Sequence, residues 1–373
     1  MEIRRVRYSY LGRQFKSAQR FFKAIESVVS DGDFTLGKRV EQLEQKVAQL
    51  CHAKHAIGVN SGTDALFLIL KGLNIHEGDE VITAPNSFYA TTGAIAIAGA
   101  TPIYVDVQAD YNIDPALIEE KITHKTKAIM PVHLTGNPAE MDAILEIAKK
   151  HHLHVIEDAA QAIGAHFRNK PTGSFGIATG FSFHPLKNIN AWGDGGMIVT
   201  NSDELNERLR LLRNHGLKNR DECVEFAYNS RLDSIQAAII FELMDDLMEI
   251  TEKRIQLARV CDEELSSLAE YIVLPARRPY ARQVFHTYMI RVKLRDRLKK
   301  YLEDSGIEAK VHYPVPLHLQ EAAKKYGYKN GDFPLCEEQA QTILTLPMHQ
   351  ELRIEDIRYM CSQIREFYKK NRG

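Results

Sequence analysis

Between about residues 55 and 215, short apolar runs alternate with stretches whose apolar residues recur at helical spacing. The runs at 55–60, 80–84, 101–107, 128–133, 154–157 and 179–183 read as strands. The intervening segments read as helices, as at 141–148, where Met141, Ile144, Leu145 and Ala148 mark one face. Strands alternating with helices predict an α/β fold: a mostly parallel central sheet covered by helices on both faces. In such sheets ligands gather at the carboxyl ends of the strands. Residues 234–270 read as one long helix, followed by a strand-like run at 287–292 and further helical pieces. The boundary is placed near residue 250, giving a large domain (1–250) and a smaller C-terminal α+β domain (251–373). No internal repeat or low-complexity segment is visible.

Composition narrows the class. A chain of 373 residues can bury a sizeable core. With 44% hydrophobic and 26% charged residues it has the make-up of an ordinary globular protein. A formal net charge of -1 argues against a partner bound mainly through phosphates, such as nucleic acid. The five cysteines are scattered and never paired as CxxC, which fits a reducing compartment and offers no metal or disulfide framework. The first residues lack the apolar stretch of a signal peptide, and no segment approaches the roughly 20 apolar residues that cross a bilayer. A cytoplasmic location with no membrane contact is the expectation.

Candidate chemistry falls at the predicted strand ends. Asp158 closes the run 154–157, and Lys187 lies in Phe181-Ser182-Phe183-His184-Pro185-Leu186-Lys187-Asn188, six residues before Gly193-Asp194-Gly195-Gly196. A carboxylate at one strand end and a lysine beside a hydroxyl in a later loop suit pyridoxal phosphate (PLP). The lysine forms a Schiff base, and the carboxylate keeps the pyridine nitrogen protonated. Asn60-Ser61-Gly62-Thr63-Asp64 opens a helix, which reads either as an ordinary N-cap or as a seat for one small phosphate. GxxxxGK[ST] and GxGxxG are both absent, so a pyrophosphate seat and a nicotinamide-dependent oxidoreductase are disfavoured. Phe88 follows the 80–84 run and either stacks on a ring or packs in the core. Glu157 points to the opposite face from Asp158 and is given no catalytic role. His184 is expected to pack beneath its loop, and Trp192 to border the site.

The ordered set of motifs is specific. Gly62-Thr63-Asp64-Ala65-Leu66, Phe88 in Ser-Phe-Tyr-Ala-Thr, Glu157-Asp158-Ala159-Ala160-Gln161 and the Lys187 segment occur in sequence. Gly193-Asp194-Gly195-Gly196, Tyr228-Asn229-Ser230-Arg231 and His312-Tyr313-Pro314-Val315-Pro316-Leu317-His318 follow. From about residue 30 to 365 the chain resembles the DegT/DnrJ/StrS family of PLP-dependent sugar aminotransferases. The resemblance implies the aspartate aminotransferase-type fold (PLP fold type I) and a homodimer with shared active sites. It implies that Lys187 is the Schiff-base lysine and Asp158 the partner of the pyridine nitrogen. Gln161 then lies near the ring hydroxyl and Phe88 on the ring, with Gly62, Thr63 and Ser182 at the phosphate. Asn229 reaches that phosphate from the neighbouring subunit, although the residues alone read equally as a turn asparagine.

Lys187 also bears on the reaction. Relatives of the family that dehydrate sugars carry histidine at this position, so the lysine here favours transamination over a PLP-dependent deoxysugar dehydratase. The resemblance makes glutamate the amino donor. It places His312, Tyr313 and His318 at a nucleotide-linked keto sugar, although histidines in a proline-stiffened loop are otherwise surface residues. The wording of that loop is similar to members that aminate a 3-keto sugar on a nucleoside diphosphate. Amination at C4, or of a keto-cyclitol, is the alternative.

Overall fold

The computed structural model describes residues 4–371. Seven strands form one sheet: β1 (His55–Val59), β2 (Glu80–Thr83), β3 (Thr101–Tyr104), β4 (Thr126–Ile129), β5 (His154–Asp158), β6 (Ala178–Ser182) and β7 (Gly196–Thr200). Their order is β1-β7-β6-β5-β4-β2-β3. Only β7 runs against its neighbours, pairing antiparallel with β1 and with β6. The six expected strands are present, and β7 is the one the apolar pattern did not reveal. It follows a glycine-rich turn and is wholly buried. Met197 and Val199 pack into the core on one face of the sheet and Ile198 into the core on the other. That alternation leaves no polar face from which a strand period could be read.

Helices cover both faces. Here α1 (Gly62–Gly72) and α2 (Tyr89–Ala98) begin at the carboxyl ends of β1 and β2. Their N-termini therefore lie on the same rim as Asp158, which ends β5, and Ser182, which ends β6. The segment expected as one long helix is divided. It comprises α3 (Ser234–Leu243), a single tight turn at Met244–Asp246, and α4 (Leu247–Leu265). The break has a packing reason. Apolar on nearly every side, α3 belongs to the first core, and Leu247 and Ile250 of α4 still pack there. Leu257, Ala258, Cys261 and Leu265 pack into a second core.

That second core lies on a three-stranded antiparallel sheet of Ile272–Val273, Tyr288–Val292 and Ile343–Leu346. It also contains Val6, which bridges to Ile307. Val6 thus packs with the C-terminal part, although the boundary expected near residue 250 assigns it to the large domain.

Neighbouring carboxylates on β5 serve opposite faces. Glu157 is fully buried and accepts hydrogen bonds from Thr179 Oγ1 at 2.7 Å, Phe175 N at 2.9 Å and His133 Nε2 at 2.9 Å. His133 Nδ1 accepts from Ala139 N, which fixes the ring with its proton on Nε2. A Glu157→Ala protein leaves these donors without an acceptor and should lose about 3 kcal/mol of unfolding free energy, read by urea denaturation.

Candidate active site

A cavity of about 380 Å³ opens on the rim where β1, β2, β5 and β6 end. Gly62, Thr63, Phe88, Asp158, Gln161, Ser182 and Lys187 all line it, together with His312 and Tyr313. A larger, open depression of about 1060 Å³ lies elsewhere, beside α4. Four of the five arginines that line it have acidic partners, as in Arg277–Asp262 at 2.9 Å and Arg282–Glu252 at 2.6 Å. The convergent chemistry is in the smaller cavity.

One end is built to take an anion. Ser61 caps α1, its Oγ accepting from Asp64 N at 3.0 Å. The N–H groups of Gly62 and Thr63 in the first turn have no carbonyl one turn back to bond within the helix, and the helix dipole is positive there. A Cβ on Gly62 would stand 2.6 Å from Ser182 Cβ, so glycine lets the helix start close against β6. Gly196 does the same from β7, where an added Cβ would meet Ser61 O at 2.2 Å.

The other end carries the ionisable pair. Asp158 is buried; its Oδ2 accepts from Thr91 Oγ1 at 2.7 Å and its Oδ1 from Ala160 N at 3.2 Å. Desolvation pushes its carboxyl above the usual range, opposed by these hydrogen bonds and the Lys187 charge. Desolvation pulls Lys187 the other way, down to about 8, against the attraction of Asp158. The lysine sits on the connection between antiparallel β6 and β7. Its carbonyl accepts from Tyr10 OH at 2.9 Å and Asn190 Nδ2 at 3.1 Å, which fixes the loop. Gln161 Oε1 accepts from Thr135 N at 2.7 Å, leaving Nε2 as its donor. Phe88 is half exposed, 5.3 Å from the Tyr89 ring and 5.8 Å from the Tyr313 ring.

These groups fit pyridoxal phosphate. A buried carboxylate, an amine with a lowered pKa, a flat apolar side chain and a glycine-lined helix start face one space of suitable size. Lys187 and Asp158 would hold the ring end, and Gly62, Thr63 and Ser182 the phosphate.

His318, His184 and Trp192 stand differently from expectation. His318 does not line the cavity. It is buried against Phe333, and its Nε2 contacts Glu337 Oε1 at 3.0 Å. The short helical turn Leu317–Leu319 carries it inward behind the wall formed by Tyr313. Asn229 is exposed and lies outside its own chain's cavity, bridging to Asn214. His184 is exposed at the cavity edge instead of packed beneath the loop. Trp192 packs among Phe15, Phe21 and Phe22, away from the cavity. Conversely, Tyr8, Ser87, Thr91, His286 and Met289 also line the cavity. Ser87 and Thr91 flank Phe88 and were within reach of the motif. Tyr8 and His286 arrive from distant segments that no local spacing connects.

The profile of the DegT/DnrJ/EryC1/StrS aminotransferase family matches residues 16–365. The chain is 44% identical to a pleiotropic regulatory protein of Geobacillus stearothermophilus, over 96% of this chain and 97% of that protein. It is 40% identical to the dTDP-3-amino-3,4,6-trideoxy-alpha-D-glucose transaminase of Streptomyces venezuelae, over 93% and 92%. Among solved structures, S. venezuelae DesV in complex with a ketimine intermediate superposes with a TM-score of 0.95 at 39% identity, covering 97% of this chain and 98% of that one.

Two outcomes follow from the geometry. Modification of Lys187 by an amine-reactive reagent in cofactor-free protein should climb as the pH rises through about 8, because only the neutral amine reacts. Peptide mapping would read it. Gly62→Ala crowds Ser182 and should weaken PLP binding about tenfold or more, the scale of a forced overpacking, measured by fluorescence titration.

Proposed function

The chain belongs to the DegT/DnrJ/EryC1/StrS aminotransferase family, and from that premise we propose that it aminates C3 of a nucleoside-diphosphate-linked 3-keto deoxysugar, with glutamate as donor. The enzyme is a PLP-dependent aminotransferase. When bound, PLP supplies an aldehyde that joins to amines and a pyridinium ring that draws electrons from the neighbouring carbon. The observation that carries the reading is the convergence of Lys187 and Asp158 on one cavity. Support for C3 comes from the likeness, over nearly the whole chain, to a transaminase named for a 3-amino sugar.

In this reading the carboxylate of Asp158 keeps a proton on the pyridine nitrogen. Gln161 donates to the ring hydroxyl, and Phe88 covers one face of the ring. The N–H groups of Gly62 and Thr63 and the hydroxyl of Ser182 bind the phosphate. Lys187 has two roles: it anchors the cofactor, and once displaced its neutral Nζ takes and returns a proton beside the nitrogen being transferred. Its lowered pKa suits the second role. His312 and Tyr313 face the sugar, and His318 braces their loop from behind through Glu337.

The working unit in this reading is a homodimer in which Asn229 reaches the phosphate of the neighbouring subunit. Support comes from the exposure of Asn229 outside its own cavity and of Phe226, wholly exposed on the same segment.

Borohydride should bleach the visible band of the loaded enzyme and fix the cofactor to Lys187; an unchanged band in Lys187→Ala would sink the assignment. For substrate, glutamate-dependent amination should favour 3-keto over 4-keto nucleotide sugars. Amination of free keto-cyclitols alone would overturn the substrate while leaving the mechanism intact.

A further inference from the structure

Asp158 is reached by more than the cofactor space. Thr91 Oγ1 lies 2.7 Å from Asp158 Oδ2, and Ser87 Oγ lies 2.6 Å from Thr91 Oγ1. Ser87, Thr91 and Asp158 are 3%, 1% and 4% exposed, so these contacts are almost wholly removed from bulk solvent. An ionised carboxylate can only accept. Thr91 must then spend its one proton on Asp158, and its oxygen can only accept from Ser87. The chain therefore has a single direction, Ser87 to Thr91 to Asp158, and each bond polarises the next toward the negative charge. Thr91 lies in the first turn of α2, with its N–H directed to Phe88 O. The positive end of that helix dipole thus lies at the same carboxylate.

We propose that Ser87 and Thr91 are positioning residues that keep Asp158 ionised and aimed at the pyridine nitrogen. This rests on the assignment of Asp158 to that nitrogen. Burial works against the charge on this carboxylate, and the two hydroxyls with the helix end work for it. Neither side chain needs to touch the reacting atoms. They act through Asp158, on how firmly the ring nitrogen holds its proton.

The test uses full-length Thr91→Val, Thr91→Ser, Ser87→Ala and Asp158→Asn proteins with three readouts. These are the pH midpoint of the visible band in the loaded protein, the PLP dissociation constant, and the melting temperature without cofactor. A ring nitrogen that loses its proton no longer repels a proton on the nitrogen of Lys187, so the midpoint should rise. Thr91→Val is expected to raise it by about one pH unit and to weaken PLP binding about tenfold, the scale of one hydrogen bond to a charged group. Ser87→Ala should move both in the same direction by less and Thr91→Ser should restore both, while the cofactor-free melting temperature records separately what the lost buried hydrogen bond costs the fold. A parental midpoint in Thr91→Val, or equal shifts in Thr91→Val and Thr91→Ser, overturns the proposal. Asp158→Asn separates the two levels. A large shift there with none in Thr91→Val removes only the hydroxyl pair, whereas a parental midpoint in Asp158→Asn removes the ring-nitrogen assignment itself.

Discussion

Burial acts on Asp158 and Lys187 in opposite senses to their usual charges, and the rest of the structure depends on how that conflict is resolved. Left to dehydration alone, both groups would become neutral. The amine is allowed to go that way, and a pKa of about 8 leaves it half neutral close to physiological pH. The carboxylate is held back by hydrogen bonds from Thr91 and Ala160 and by the charge of Lys187. The cavity therefore has to be dry enough to lower the lysine yet furnished with enough donors to keep the acid charged. A surface lysine and aspartate at the same separation would keep the acid charged but leave the amine charged as well.

The sheet meets both demands by using its strands twice. β5 gives Asp158 to the cavity and Glu157 to the opposite face, where His133, Gly173, Phe175 and Thr179 anchor it. Position and rigidity thus come from adjacent residues of one strand. The antiparallel pair β6–β7 does similar work for Lys187. Its connection is clamped at both ends, through Phe183 N to Gly195 O at 2.8 Å and Ala191 N to Phe183 O at 2.7 Å. The lysine side chain needs little ordering beyond what the loop already supplies.

Much of this was legible in the chain. Six strands, the helix starting at Gly62 and the rim placement of Asp158 follow from period and punctuation alone, because each is a local property. The concealed parts are those with no local signature. β7 is buried on both faces and has no alternation to betray it. The helix expected over 234–270 breaks because it serves two cores, and a single run of apolar residues does not say which core each belongs to. His318 shares a motif with His312 and Tyr313, yet one short helical turn carries it to the other side of the wall. Tyr8 and His286 reach the cavity only through tertiary packing.

The N-terminal segment adds a constraint of a different kind. Val6 bridges Ile307, Arg7 O accepts from His349 at a sequence separation of 342 positions, and Tyr10 holds the carbonyl of Lys187. Contacts between such remote positions are slow to form, since the closure of a long loop must precede any gain from them. The loop that carries Lys187 therefore rests on a segment whose own contacts span almost the whole described chain. During synthesis the strand ending in Asp158 and the loop carrying Lys187 precede residues 307–349, against which Val6 and Arg7 pack. A ribosome-bound fragment ending before residue 307 would carry Asp158 and Lys187 without the contacts that anchor Val6 and Arg7.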